Sequence, residues 1–225
     1  MKSQWLMPSI LVTCSFLASA QEVAPDHRLR NAADVFREIM ATPDKGIPRG
    51  LLERAQCIVI IPGMKKAAFI VGADYGKGYA VCRTTAGMWG APDPVGLSGG
   101  SFGPQLGVDS TDVVLLMMTE KGLNHLLADK FKIGGDAAAA VGPVGRDAAA
   151  DTDVSLRAEI LSWSRTHGLF AGVSLDGTVL THSKGETEKL YGREYSGKEL
   201  IRGNVAPPPA AETLLSELNA YGPRK

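Results

Sequence analysis

The residue types best suited to catalysis lie close together in sequence, as Ser164, His167 and Asp176. These types serve as nucleophile, base and orienting acid in many hydrolases. No G-x-S-x-G turn presents the serine, however, and closeness in sequence does not place three side chains in one site. Polar strand residues followed by a turn aspartate explain the pattern as well. We therefore predict that the protein is not an enzyme and retain a hydrolase only as an alternative.

Metal and cofactor chemistry has less support still. The four histidines are His27, His125, His167 and His182. They are scattered, and no two of them have metal-ligand spacing. The chain also has no C-x-x-C pair. The run 72–78, Gly-Ala-Asp-Tyr-Gly-Lys-Gly, is one residue short of a P-loop and lacks the Ser or Thr that would hold magnesium. We predict neither a metal nor a cofactor.

Basic and aromatic side chains form a pattern that suits anionic lipid headgroups. Three arginines fall on a predicted N-terminal helix beside its apolar stripe, and a lysine pair falls in a predicted hairpin turn. Cations beside an apolar stripe can lie in a headgroup layer. Two aromatic residues add apolar contacts, and one arginine lies in a glycine-rich loop. The candidate lipid-binding residues are Arg28, Arg30, Phe36, Arg37, Lys65, Lys66, Trp89 and Arg146.

These candidates also have structural explanations. The helix stripe can pack on the domain, and Asp34 and Glu38 dilute the positive charge of its polar face. Trp89 can cover a sheet edge as a half-buried aromatic residue. Arg146 can pair with a nearby carboxylate such as Asp147. The residues alone leave these alternatives open.

The first 20 residues have the features of an export signal. Lys2 gives a positive start, Leu6 to Leu17 form an apolar core, and Ala18-Ser19-Ala20 is a small-x-small cleavage site. We expect cleavage before Gln21 and a location in the periplasm or peripherally at the cell envelope. Lipidation of Cys14 is the less favoured route.

Charge restricts the partners. The chain has 24 Lys and Arg against 24 Asp and Glu, so it lacks the positive field that collects nucleic acid. Anionic membrane lipids are the predicted partners, with an envelope protein as the alternative.

Helical patterns flank the chain. A helix is predicted from Asp26 to about Met40, a short one from Pro48 to Arg54, and a last amphipathic one over 210–221 after a proline-rich spacer at 206–209. Ser183 and Glu186 have the spacing of a capping box. These elements predict a single domain over 21–225 with its core at about 26–203.

Strand patterns fill the middle. Pro62-Gly63 and Gly76-Lys77-Gly78 predict turns that divide the run 57–82 into short strands, and Val113–Met118 predicts a strand buried on both faces. A helix is predicted over Glu120–Lys130, and Asp176-Gly177 predicts a hairpin turn. The fold class is α+β: a mainly antiparallel sheet, rich enough in glycine to curl towards a barrel, with amphipathic helices at both ends.

Cys57 and Cys82 remain after the signal is removed. An even pair in an oxidising compartment favours a disulfide. The turn pattern instead places these residues on the first and third strands of a meander, roughly 9.6 Å apart. A disulfide needs Cα atoms within about 7 Å. We therefore expect two buried free thiols.

Three glycine-rich segments carry a family resemblance. They are the run 87–92 with its following glycines, Gly142–Arg146, and Gly168–Leu175. In this order and spacing they resemble the SYLF family of lipid-binding modules, over about 26–221. The resemblance implies a lipid-binding domain, with phosphoinositide binding through an N-terminal helix and basic residues in eukaryotic relatives and actin binding in some fungal ones. Thr187 departs from the family pattern, which usually has asparagine there.

Overall fold

The computed structural model describes residues 24–42, 46–68, 71–102, 107–143, 158–166, 169–170, 175–203 and 205–223. The helices in these ranges are Pro25–Ala41 (α1), Arg49–Arg54 (α2), Glu120–Leu126 (α3), Lys184–Tyr191 (α4), Gly197–Arg202 (α5) and Glu212–Tyr221 (α6). The strands are Cys57–Ala68 (β1), Val71–Cys82 (β2), Asp93–Phe102 (β3), Gly107–Met117 (β4), Lys130–Lys132 (β5), Ala139–Val141 (β6), Ile160–Thr166 (β7), Leu169–Phe170 (β8) and Val179–His182 (β9). The predicted signal peptide, residues 1–20, lies outside the described residues.

The strands form one nine-stranded sheet in the order β5-β9-β3-β2-β1-β4-β7-β6, with β8 beside β7. The pairings are antiparallel except between β6 and β7. The sheet curls into an open half-barrel. The predicted α+β fold, with a mainly antiparallel sheet and helices at both ends of one domain, is confirmed.

Each face of the sheet packs against its own set of elements, because side chains alternate between the faces along a strand. On the face that we call the α1 face, Ile58, Ile60 and Tyr79 pack with α1, α2 and α6. On the opposite face, which we call the α3 face, Val59 and Ile61 pack with α3 and β5. The strand predicted at 113–118 is buried on both faces, as its apolar run requires.

Two of the predicted turns lie inside long strands. Pro62-Gly63 forms a bulge in β1, where the register with β4 shifts between Ile61 and Met64 and Gly63 has φ of 57°. The glycines at 76–78 continue β2 instead of ending it. A Cβ on Gly78 would lie 1.9 Å from the Ile60 carbonyl oxygen, so glycine is required there for close packing.

The cysteine prediction was wrong for the same reason. No strand separates Cys57 from Cys82, because β1 and β2 are direct neighbours and these residues are opposite each other in register. Their Cα atoms are 4.0 Å apart and their sulfurs form a disulfide. The error came from treating glycine signals as chain reversals.

Other boundaries need smaller corrections. The helix α1 begins at Pro25, and α3 ends at Leu126 because the chain enters β5 at Lys130. Ser183 makes no side-chain cap to α4, so that capping box is wrong; the box forms at Ser196 of α5. The turn at Asp176-Gly177 exists, with φ of 85° at Gly177, but β9 pairs with β3 and β5.

Candidate functional site

The three arginines of α1 have different surroundings. Arg28 is buried and donates to Glu186 of α4 at 2.7 Å. Arg37 is half-exposed and pairs with Asp34 and, at 3.6 Å, with Glu217 of α6. Arg30 is exposed, with its guanidinium 3.3 Å from the His27 ring. The structure therefore does not place these three cations on one surface.

The apolar stripe of α1 packs on the domain. Leu29, Phe36 and Ile39 have no exposed surface, and the Phe36 ring meets the Tyr221 ring edge to face at 5.8 Å. The polar side of α1 carries two arginines, 30 and 37, against three carboxylates, 26, 34 and 38. This side is not cationic. The structure therefore agrees with the alternative in which the apolar stripe of α1 packs on the domain.

Trp89 is also a core residue. It is 4% exposed, and its indole nitrogen donates to the Leu218 carbonyl at 3.1 Å. The guanidinium of Arg83 stacks 4.0 Å from the Trp89 ring centre and donates to four backbone carbonyls, those of residues 52, 55, 87 and 222. Both residues thereby tie the end of β2 to α2 and α6. Arg146 lies outside the described residues.

The lysine pair lies within β1 and not in a turn. Lys65 is on the α1 face, opposite Tyr75 of β2 and Ser110 of β4, and its ammonium donates to the Ser110 hydroxyl at 3.2 Å. Lys66 is on the α3 face, opposite Asp74 and Asp109. The register therefore gives the two neighbouring lysines opposite environments.

Tyr75 is a surface residue that the sequence analysis missed. It is 53% exposed, whereas Tyr79, four residues along the same face of β2, is fully buried. The helices thus cover the α1 face at Tyr79 and leave it open at Tyr75. The alternation of side chains along this strand could have identified Tyr75 as a surface residue. The turn predicted at Gly76 interrupts that strand and hides the pattern.

Between these tyrosines, several cations converge on one carboxylate. Glu186 is 4% exposed and accepts from Arg28 at 2.7 Å, Lys77 at 3.2 Å and Lys189 at 3.4 Å. Such a cluster fixes α1, β2 and α4 together, because a buried carboxylate requires charged partners. Lys77 lies on the same face of β2 as Tyr75 and Tyr79, between the two tyrosines.

His182 and Asp93 form a buried pair at the other side of the sheet. Their side chains are 2% and 1% exposed, with Nδ1 2.7 Å from the carboxylate, and Nε2 lies 3.0 Å from the Tyr195 carbonyl. Burial lowers the pKa of His182, but the hydrogen bond and charge of Asp93 outweigh it and raise the pKa. Both ring nitrogens face acceptors, and this arrangement favours the doubly protonated imidazolium form of His182.

Two of the three candidate catalytic residues fall in the part of the chain that the structure describes, and they lie on different elements. Ser164 is buried in β7 and Asp176 lies in the turn before β9, while His167 is outside the described residues. The described residues include no cluster of three His, Cys, Asp or Glu side chains that could hold a metal ion. No described helix is both long and apolar enough to cross a membrane.

A shallow cleft of about 350 Å³ opens near the disulfide end of the sheet, between Arg83, Glu120, Leu123 and Arg202. Arg202 and Glu120 approach to 3.9 Å across it. It lies by the end of β2, eight residues along the chain from Tyr75 and thus roughly 26 Å away for an extended strand. The cleft and the Tyr75 surface are therefore separate features.

The structure defines a class of protein: a half-barrel α+β domain with helices packed over the sheet and an exposed aromatic residue, Tyr75, in the β1–β2 hairpin. Comparison with known families gives its membership. The family model described as "Ysc84: Las17-binding protein actin regulator" matches residues 98–221. The chain belongs to this Ysc84 family, which is the SYLF family that its glycine-rich segments resemble.

Named relatives support the same assignment. An SH3 domain-containing YSC84-like protein 1 of Rattus norvegicus is 29% identical over 85% of this chain, and the chain spans 58% of that protein. LAS seventeen-binding protein 3 of Saccharomyces cerevisiae is 31% identical over 79% of this chain, which spans 39% of it. An SH3 domain-containing protein of Schizosaccharomyces pombe is 36% identical over 77% of this chain. None of these three names denotes an enzyme.

Proposed function

We propose that this protein is a non-enzymatic module that, after export, associates peripherally with membranes rich in anionic phospholipid. The observation that carries the proposal is the open end of the β1–β2 hairpin, where Tyr75 is 53% exposed and lies opposite the exposed Lys65. An amphipathic aromatic ring beside a lysine suits the headgroup layer, where one side is wet and the other apolar.

The magnitude of the attraction predicts weak binding. A Lys near an anionic surface contributes about 1 kcal/mol, so Lys65 and Lys77, which lie on the α1 face, together supply at most about 2 kcal/mol. A millimolar dissociation constant corresponds to about 4.1 kcal/mol. The lysines alone therefore do not reach millimolar affinity, and the ring of Tyr75 has to add to them.

Insertion of α1 fits the structure less well. Lifting α1 off the sheet would expose Ile58, Ile60 and Tyr79, which are fully buried beneath the helical layer. Exposing each large apolar side chain costs about 1.5–3 kcal/mol. Lipid contacts made by the freed helix would have to offset that cost, whereas the hairpin end is already open.

Vesicle flotation tests the proposal. We expect the mature chain to float with anionic phosphatidylglycerol vesicles at low salt, to lose most binding in salt of about 0.5 M as the screening length shortens, and to ignore zwitterionic vesicles. Circular dichroism before and after flotation confirms that the fold persists. Absence from the anionic vesicle fraction at low salt would contradict the proposal.

A protein partner is the second candidate function. The name of the yeast relative states that it binds Las17. This chain spans 39% of that relative, so we transfer only the general possibility of an envelope protein as partner. Co-purification of one stoichiometric protein, with no flotation on anionic vesicles, would favour this candidate.

A further inference from the structure

The β1–β2 hairpin has two chemically different faces at its open end. This inference rests on the proposed membrane association and names the surface that makes it. We propose that docking is one-sided: the α1 face, with Lys65 and Tyr75, meets the anionic bilayer, while the α3 face, with Lys66, turns away from it.

Coverage supports this choice of face. On the α1 face of β2 the exposed fraction rises from none at Tyr79 to 53% at Tyr75. On the α3 face of the same strand, Asp74 is only 6% exposed. Next to each other in β2, Asp74 and Tyr75 point to opposite sides of the sheet. The α1 face is therefore the side on which this end of the hairpin is open.

Charge supports it independently. Lys66 has an aspartate opposite it on each neighbouring strand, Asp74 and Asp109, whose negative charges offset its positive charge within the sheet. Opposite charges across strands stabilise each other. Lys65 has a tyrosine and a serine in the corresponding positions. Its charge remains available to an anionic surface.

A carboxylate further along β4 on this face already has partners. Asp112 lies two residues after Ser110 on β4, accepts from the Gly63 backbone N–H at 2.9 Å and pairs with Arg165 at 3.0 Å. It therefore does not compete strongly for Lys65. The α1 face thus presents a lysine and an aromatic ring to an anionic bilayer and keeps its acids internally paired.

Matched variants test the proposal, since the two lysines are adjacent and differ only in the face they occupy. We expect Lys65→Gln to lower the vesicle partition coefficient about fivefold, which corresponds to about 1 kcal/mol per lysine at an anionic surface. Lys66→Gln should change it by less than about twofold, because a compensated charge adds little attraction. Tyr75→Ser should weaken binding at low and high salt alike. The double variant Arg30→Gln/Arg37→Gln is the control for α1.

The outcomes separate the two claims. Equal losses in Lys65→Gln and Lys66→Gln, or a loss confined to the α1 double variant, would overturn one-sided docking while leaving membrane association intact. If wild-type protein does not bind anionic vesicles at all, the proposed function fails and this inference fails with it. Thermal unfolding of every variant must match wild type, and Lys65→Arg should restore binding.

Discussion

His182 shows how a single residue can give the fold a pH dependence. Its raised pKa means that the folded protein binds this proton more tightly than the unfolded chain does. The resulting stabilisation is complete below about pH 6.5 and is lost as the pH rises through the folded pKa. The charged groups that favour the cation are Asp93 and Asp129, and burial raises the pKa of Tyr191, so this tyrosine stays neutral through the same window.

We therefore expect the wild-type melting temperature to fall as the pH rises from about 6.5 to 9, because that range covers the loss of the imidazolium proton. His182→Gln should be less stable at pH 6 and should show a flatter profile. His125→Gln is the control, since His125 lies near Glu159 in a different part of the fold. An unchanged slope in His182→Gln would show that another group titrates.

The disulfide gives a second test at this scale. Cys57 and Cys82 are 25 residues apart in sequence, and the chain-entropy estimate for a loop of that size is about 3.5 kcal/mol. Urea unfolding with and without reductant should differ by about that free energy. The oxidised chain starting at Gln21, which lacks Cys14, should give no free thiol in denaturant. Finding two thiols there would support the original sequence-based expectation against the structure.

At the scale of elements, Glu186 joins α4 to α1 and β2. The side chains of Arg28 and Glu186 are 8% and 6% exposed. Removing one partner of a buried pair commonly costs about 3–5 kcal/mol, because the other charge stays buried. Glu186→Gln should lower the free energy of unfolding by about 3 kcal/mol.

Glu38 is the matched control for that change. Its side chain is 57% exposed, and its partner Arg165 also pairs with Asp112. Glu38→Gln should cost less than about 1 kcal/mol in urea unfolding. Similar losses in the two variants would mean that the Glu186 cluster does not hold α1 in place.

The helix caps offer a second matched pair. Ser196 accepts from the Glu199 N–H at 3.2 Å, and Glu199 accepts from the Ser196 N–H at 2.8 Å. Ser196→Ala should lower the free energy of unfolding by about 1 kcal/mol. Ser183→Ala should change it little, because Ser183 makes no side-chain cap. A larger loss in Ser183→Ala would contradict the observed capping.

The elements also show where sequence patterns suffice. Periodic apolar residues in α1 and the unbroken run of β4 predicted both elements, because their burial depends on local spacing. The prediction treats Gly63 and Gly78 as turn residues. Gly63 instead lies in a bulge, and Gly78 makes a close contact with Ile60; only the neighbouring strand reveals these roles. The missed disulfide and the misplaced Lys65–Lys66 turn both follow from that one error.

For the whole molecule, the sequence predicted the fold class but not which surface stays open. Arg28 and Phe36 are residue types that suit a membrane-binding helix, yet both are buried inside the domain. Burial of that kind depends on partners distant in sequence, such as Glu186 and Tyr221. An exposed aromatic ring instead comes from a strand, at Tyr75, where no amphipathic helix marks it.

The central claim is that the hairpin end, and not α1, faces the bilayer. In a chain that starts at Gln21, both cysteines are held in the disulfide, so one introduced cysteine can carry a nitroxide label. Labels at Ala73→Cys, which is exposed on the α1 face of β2 two residues before Tyr75, and at Asn31→Cys, on the exposed side of α1, should be compared by EPR with oxygen and an aqueous nickel complex on anionic vesicles. We predict that the label at 73 becomes oxygen-accessible and shielded from nickel while the label at 31 stays aqueous. The reverse pattern would contradict the account.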